Sequence, residues 1–384
     1  MANNLDSIDT IRDGDVARFA DFDNSALLGN KGRARKTLSV FPVIDVSPFV
    51  NNGSESERRR VAREIRQVCL EIGFFYIKGH GIPTEELKAL LTMGEQFFQL
   101  PLEEKLKIRQ DKSCTREGYW IPGAMATTGD TSFDIKERFQ YDLRHDFGQG
   151  LVSEKLAEAK RSVSNSKQLS EQWPDAVSLP GFEALVKAHV AKRATLARQM
   201  ARAFALSLDL PEAFFDEMYL HFYGTFIFNY YPPIDAATLQ PNQWSFSPHT
   251  DYGCITILSQ DELGGLEACT RDGEWIDVPP IEGTFVVNVG DTLQMWSNDL
   301  YVSTLHRAAN TNGKARISAV FFTKPQGDTV IRCLPTCHGP DNPPRYAPIV
   351  SSEYTRMLVE QAHRTGRPGV STKTAERFQA RKNQ

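Results

Sequence analysis

From Thr225 onward the chain is written in short runs of β-branched and aromatic residues, TFIFNYY, CITILS, GTFVVNVG, YVSTLHRA and RISAVFFT, parted by glycine, proline, asparagine and aspartate. Runs this short suit strands, and the residues between them supply the turns. A strand with one apolar face must bury it against a second layer. Many short strands at this spacing therefore predict a β-sandwich or jelly roll. Upstream the periodicity changes. PVIDVS reads as a strand, ESERRRVAREIRQVCLEIG as a helix and FFYIKG as a second strand, a β-α-β lead-in. TEELKALLTMGEQFFQL follows as a helix with Thr84 as its N-cap, and Pro101 starts the next turn. Pro180 opens a long helical pattern in which Leu185, Val186, His189, Leu196, Met200 and Phe204 share one face, the mark of a scaffold helix. The expected class is α+β.

Five segments follow from these changes of pattern: a polar arm over 1–38, an N-terminal module over 39–145, a linker and scaffold helices over 146–220, a strand-rich core over 221–335, and a helical segment and tail over 336–384. The arm ends in the basic cluster Lys31, Arg33, Arg35 and Lys36, yet 44 Lys plus Arg against 48 Asp plus Glu leave a net charge of -4. That balance gives no general attraction to nucleic acid or to anionic membranes. The six cysteines are too few and too scattered for a disulfide framework in 384 residues. Cys333 and Cys337 lack the spacing and the second ligand pair of a structural zinc site. The N-terminus has no apolar core of a signal peptide, and no stretch approaches the length of a membrane span. A soluble, cytoplasmic chain acting on a small molecule is the expectation.

The sharpest local signal is His249-Thr250-Asp251, at the start of a strand-like run. Side chains two apart on a strand project from one face, so both can meet one metal ion. His306, in YVSTLHRA, is the candidate third ligand. Two imidazoles and a carboxylate on one face of an octahedral ion form the facial triad of non-haem iron(II) oxygenases, with three positions left open. With eight histidines present, such a pair also arises by chance, and a lone strand histidine is commonly a satisfied core or surface residue. Arg316 and Ser318, again two apart, add specificity: a guanidinium forks onto a carboxylate and a hydroxyl adds a further bond, which suits the distal end of a dicarboxylate. An arginine inside the apolar run RISAVFF needs an anion, and a structural ion pair is the other way to supply one. In NYYPP, Asn229 and Tyr231 fall on one strand face and offer polar groups to the same pocket; taken alone, the segment is a strand ending in a turn.

These motifs, in this order, resemble those of the isopenicillin N synthase-like branch of the iron(II)/2-oxoglutarate-dependent dioxygenases. The resemblance runs from about residue 41 to 335, through FPVIDVS, GFFYIKGHGIP and FFQLPLEEKLK in the first half and NYYPP, HTDYGCITIL, GGLEACTRDGEWIDVPP, NVGDTLQMWSN, the His306-Arg307 pair and RIS in the second. It implies a double-stranded β-helix, or jelly roll, braced by surrounding helices. It further implies iron(II) on His249, Asp251 and His306, 2-oxoglutarate on Arg316 and Ser318 with help from Asn229 and Tyr231, and O2 as oxidant. The implied reaction oxidises an unactivated C–H bond of a small, carboxylate-bearing metabolite by hydroxylation, desaturation or cyclisation, with release of succinate and CO2. Within TREGYW, Arg116 resembles the isopenicillin N synthase arginine that meets a substrate carboxylate, with Tyr119 and Trp120 beside it; the other reading is a solvated loop arginine. Phe246 and Trp296 adjoin the catalytic motifs and are candidates for an apolar substrate wall or for core. Two alternatives stay open: an iron(II) oxidase of the same fold that uses no 2-oxoglutarate, like isopenicillin N synthase or aminocyclopropane-carboxylate oxidase, and a jelly-roll binding protein without catalysis.

Overall fold

β1 (Val43–Asp45) and β2 (Phe74–Lys78) lie parallel, because the chain between them is spent on two helices, α1 (Ser47–Val50) and α2 (Glu55–Glu71). The computed structural model describes residues 41–112, 117–122, 134–143, 172–234, 245–271, 273–310 and 313–365. The polar arm, most of the polar stretch after residue 146, Arg116 and the tail beyond 365 lie outside them. α2 starts at a capping box: the Ser54 hydroxyl accepts the Glu57 amide, and the Glu57 carboxylate accepts the Ser54 amide at 2.8 Å. Its Val61, Ile65, Val68 and Cys69 are buried along one face. α3 (Thr84–Gln99) begins one residue earlier than a Thr84 cap would require. Pro83 is the last extended residue, its ring fixing φ at -61°, and Thr84 is already helical without a side-chain cap. α4 (Leu102–Lys107) follows Pro101.

β3 (Gly118–Trp120) and β4 (Glu137–Leu143) form one margin of the larger sheet, and α5 (Phe182–Ser207) is the long helix expected after Pro180. Of its six predicted inward residues, five are buried and Leu185 is half-buried. Beyond it come β5 (Tyr223–Tyr231), β6 (Phe246–His249), β7 (Ile255–Gln260), β8 (Leu266–Cys269), β9 (Trp275–Asp277), β10 (Phe285–Val289), α6 (Asp291–Trp296), β11 (His306–Ala308), β12 (Arg316–Lys324), β13 (Val330–Ile331), β14 (Ile349–Val350) and α7 (Ser351–Thr365). The larger sheet runs β1-β2-β10-β7-β12-β5-β4-β3, drawing strands from both the 39–145 and the 221–335 segments, and the smaller runs β6-β11-β8-β9.

Strand alternation then decides what faces what. On β12, Ile317, Ala319 and Phe321 belong to the core under the helices, and Arg316, Ser318, Val320 and Phe322 face the space between the sheets. Register extends that inner face sideways: Ser318 pairs with Asn229 and with Gln260, Val320 with Leu258, and Asn288 with Thr256. A second, smaller core of Phe74, Tyr76, Leu266, Ala268, Ile276 and Val286 fills one end between the sheets. The helical layer is tied to the larger sheet by Arg193 of α5. This arginine is fully buried and donates to the carbonyls of Ile257 (3.1 Å) and Ala319 (3.0 Å) and to Ser259 Oγ (2.7 Å). Burial pushes its guanidinium down to about 9. Among the described residues no helix is long and apolar enough to cross a membrane.

α3 approaches the sheet most closely at Gly94, where a Cβ would stand 2.7 Å from Ile317 Cδ1 and 2.8 Å from Phe228 Cε1. Gly94→Val is expected to destabilise the fold by about 1–3 kcal/mol through overpacking, seen as a lower urea midpoint at unchanged slope.

Candidate iron and 2-oxoglutarate site

His249 ends β6 in the smaller sheet, and the chain resumes as β7 in the larger sheet at Ile255. Asp251 lies in the turn between them. The pair therefore does not share a strand face as its spacing suggests; it straddles a crossover from one sheet to the other. The turn is stitched by backbone amides with no partner inside their own helix. Asp291 N–H donates to Asp251 O (2.7 Å) and Thr292 N–H to Gly253 O (3.0 Å), both from the first turn of α6. Cys254 N–H donates to Thr323 O on β12 (2.8 Å). Two glycines let these backbones meet: a Cβ on Gly253 would lie 2.2 Å from Thr323 O, and one on Gly290 would lie 2.3 Å from Gly253 O. His306 opens β11 and pairs directly with His249 across the smaller sheet.

The three side chains converge. Asp251 Oδ1 is 3.8 Å from His249 Nε2 and 3.6 Å from His306 Nε2, and all three residues are buried. Each histidine has its other nitrogen on a backbone carbonyl, His249 Nδ1 on Ser247 O at 2.8 Å and His306 Nδ1 on Thr304 O at 2.9 Å. A carbonyl accepts, so Nδ1 carries the proton and the Nε2 lone pair is left for a metal. Burial, with the neighbouring His306 and Lys136 acting in the same direction, holds His249 well below the usual imidazole range, which keeps that lone pair available. Asp251 is divided in the same way: Oδ2 accepts from Thr256 Oγ1 (2.6 Å) and Asn288 Nδ2 (2.7 Å), and Oδ1 faces the histidines. Among the described residues this is the group that can hold a metal ion, and its donors, two nitrogens and one carboxylate oxygen, suit iron(II).

The triad lines a cavity that also includes Asn229, Tyr231, Arg316 and Ser318. Arg316 Nη2 donates to Gln260 Oε1 (3.0 Å), Nε donates to the Gly264 carbonyl, and the guanidinium carbon lies 4.8 Å from the centre of the Tyr231 ring. No carboxylate pairs with it within ion-pair distance among the described residues. Among the described residues its Nη1 and the Ser318 hydroxyl are buried without a hydrogen-bond partner of normal geometry, although both lie close enough to the Tyr231 hydroxyl to act on it. Burial raises the Tyr231 phenol, only partly offset by Arg316, so the hydroxyl stays protonated and able to donate. A buried cation with an unsatisfied donor fits an incoming carboxylate.

Of the side chains expected to meet substrate, Phe246 lines the cavity and stacks on His249 with ring centres 3.9 Å apart. Trp120 is in register with Arg138, itself paired with Asn229, so it belongs to the inner face but outside the cavity lining. Two expectations are corrected. Tyr119 points to the helix side, its hydroxyl on Glu137 (2.6 Å) and its ring against Phe97, because its neighbour Trp120 takes the inner face. Trp296, in α6, stacks on Phe215 at 4.9 Å within the helix-side core. Arg116 lies outside the described residues. Sequence reasoning missed Thr256, Asn288 and Gln260, although Thr256 and Gln260 fall in one alternating row of CITILSQ, the pattern used for Arg316 and Ser318.

Residues 222–325 match the 2OG-Fe(II) oxygenase superfamily, and residues 41–176 match the N-terminal region described as non-haem dioxygenase in morphine synthesis. A 2-oxoglutarate-Fe(II) type oxidoreductase of Metarhizium majus is 35% identical over 315 residues, 80% of this chain and 83% of the relative. The chain belongs to the 2OG-Fe(II) oxygenase superfamily. Iron(II) and 2-oxoglutarate are thus the cofactor and co-substrate of this oxygenase, and the jelly roll is its core. A homoarginine-6-hydroxylase of Glycine max is 33% identical, covering 78% of this oxygenase and 89% of the relative. Among solved structures, a full-length Neurospora crassa protein in complex with alpha-KG and thymine superposes with a TM-score of 0.71 at 28% identity, over 85% of this chain and 97% of that one.

Asn288→Ala and Thr256→Val each remove one of the two hydrogen bonds that hold Asp251 Oδ2. Each is expected to weaken iron(II) binding about 10- to 100-fold, measured anaerobically by competition with a chromophoric chelator. Wild-type affinity in both variants would remove these residues from the metal's support.

Proposed function

We propose that this oxygenase oxidises an unactivated C–H bond of a small, carboxylate-bearing metabolite, by hydroxylation, desaturation or oxidative cyclisation, and releases succinate and CO2. One observation carries the reading: the unsatisfied Arg316 Nη1 and Ser318 Oγ stand in the same buried cavity as the three convergent metal-ligand side chains. A dicarboxylate can satisfy one end while its other end reaches the triad. His249, Asp251 and His306 hold the metal, Arg316 and Ser318 hold the far carboxylate of 2-oxoglutarate, and Asn229 and Tyr231 add donors from β5.

When bound, iron(II) with 2-oxoglutarate and O2 supplies the oxidising power. The protein's own work is placement and exclusion. Asp251, with Oδ2 engaged by Thr256 and Asn288, presents a single oxygen, which leaves coordination positions for co-substrate and O2. Phe74, Phe246, Leu258, Leu266 and Val320 line the rest of the cavity with hydrocarbon and keep water from the reacting atoms. For the substrate, the inner face of β4 supports a carboxylate: the Arg138 guanidinium lies 4.0 Å over the Trp120 ring, in register with cavity residue Asn229. The Glycine max relative, a homoarginine hydroxylase by name, is consistent with an amino-acid-like substrate.

Arg316→Leu is expected to weaken 2-oxoglutarate binding by about 1.5–3 kcal/mol, the worth of a hydrogen bond to a charged group, with Arg316→Lys losing less; anaerobic titration of the iron(II) protein measures it. Unaltered binding would end the assignment. Iron(II) protein loaded anaerobically with 2-oxoglutarate and exposed to O2 with metabolite candidates is expected to release succinate in step with oxidation of acids, seen by mass spectrometry. Turnover without any oxo-acid would favour the oxidase reading instead.

A further inference from the structure

Among the described residues β6, the strand that delivers His249, is an edge strand with one neighbour. It pairs with β11 at His306↔His249 and Ala308↔Phe246, with an irregularity between the two, and Pro248 within it has no N–H to give. A strand this short and interrupted is a poor support for an imbedded imidazole by pairing alone. Its other margin meets the segment that leads into β4 of the opposite sheet. There Asp134 Oδ1 accepts the Ser247 amide at 2.8 Å and also the Ser247 hydroxyl. The carboxylate thus takes the place of a strand neighbour. The same Ser247 turns its carbonyl inward to accept His249 Nδ1–H.

A second contact comes from the same segment. The Lys136 amino group lies directly over the Phe246 ring, and His249 stacks on that ring at 3.9 Å. With the imidazole packed on one face, the lysine occupies the other, so the ring is held between Lys136 and the ligand. A cation over an aromatic face is attracted by the ring's quadrupole. Lys136 is 9% exposed; burial draws its ammonium well below the usual lysine range, and Asp134 Oδ2 at 3.6 Å opposes that fall. An N–H over the ring face is favourable in either protonation state, more so in the charged one. The two other ligands have separate supports, Asp251 on Thr256 and Asn288, His306 on the Thr304 carbonyl with the Phe74 ring beside it.

We propose that Asp134 and Lys136 are positioning residues for the iron ligand His249, a clasp from the β4 lead-in that fixes its edge strand by the Ser247 backbone and its ring plane by Phe246. This rests on the assignment of His249 as a ligand. The clasp gives the metal centre a mechanical link to the inner face of β4, where Trp120 and Arg138 stand.

The test compares Asp134→Ala, Asp134→Asn and Lys136→Met in the full chain, using cobalt(II) as an air-stable probe alongside anaerobic iron(II). Asp134→Ala is expected to lose about 10- to 100-fold in affinity for either metal and, at saturating cobalt, to show a displaced ligand-field spectrum. Asp134→Asn keeps an oxygen acceptor for Ser247 and is expected to recover most of both. Lys136→Met, matched in length, is expected to lose about 2- to 30-fold. Binding of 2-oxoglutarate to the metal-saturated variants is expected to change less than in Arg316→Leu, which separates failure of the clasp from failure of the site assignment. Wild-type affinity and spectrum in Asp134→Ala would overturn the proposal. So would a fall in thermal stability shared by all three variants while metal affinity and spectrum hold. If Asp134→Ala does not fold, the affinities and spectra of Asp134→Asn and Lys136→Met decide: an Asn variant as wild type with a weakened Met variant sustains the clasp, and a Met variant as wild type removes Lys136 from it.

Discussion

Everything at the centre of this molecule hangs on one turn. Between His249 and Ile255 the chain leaves the smaller sheet and enters the larger one, and the turn's carbonyls are taken up by amides at the start of α6, with β12 accepting one amide in return. That exchange satisfies backbone groups that would otherwise be buried unpaired, on both the turn and the helix end. It also sets the angle at which Asp251 leaves the chain. Because β6 and β11 are paired at His249 and His306, fixing the turn places all three candidate ligands at once.

Electrostatics divides the cavity into two ends. At the metal end, burial keeps His249 neutral and a carboxylate supplies the charge. At the other end Arg316 is buried with donors to spare and, among the described residues, no carboxylate within ion-pair distance, Asp261 acting on it only from farther away. A guanidinium in such a place is costly until an anion arrives. The same economy appears differently at Arg193, whose donors are spent on sheet carbonyls and a serine, so that a buried cation there serves as a brace.

The sequence made much of this legible, and for identifiable reasons. Strand runs and helices are legible because period 2 and period 3.6 leave different marks, and the shared face of Arg316 and Ser318, and of Asn229 and Tyr231, is legible because alternation on one strand is strictly local. His249 and Asp251 were found for a reason that does not hold: they meet through a turn, a conformation that His-x-Asp spacing does not encode. The Thr256 and Asn288 contacts to Asp251 are not legible because they meet only across a strand pair, and the Asp134 and Lys136 contacts to Ser247 and Phe246 because they come from the distant segment leading into β4. Tyr119 and Trp120 show the limit of adjacency; neighbours on a strand face opposite sides, so a motif that groups them assigns one of them to the wrong side.

The close approach at Gly253 and Gly290 has a further consequence for how such an enzyme can change. Any side chain at either position would run into a backbone oxygen, which no rotamer can relieve. The turn that carries Asp251 is thus closed to side chains at these two positions, and changes in what the cavity admits fall to its apolar lining elsewhere, at Phe74, Leu258, Leu266 and Val320. A library seeking new reactivity in this scaffold is best concentrated there, with residues 249–256 and 288–292 left as they stand.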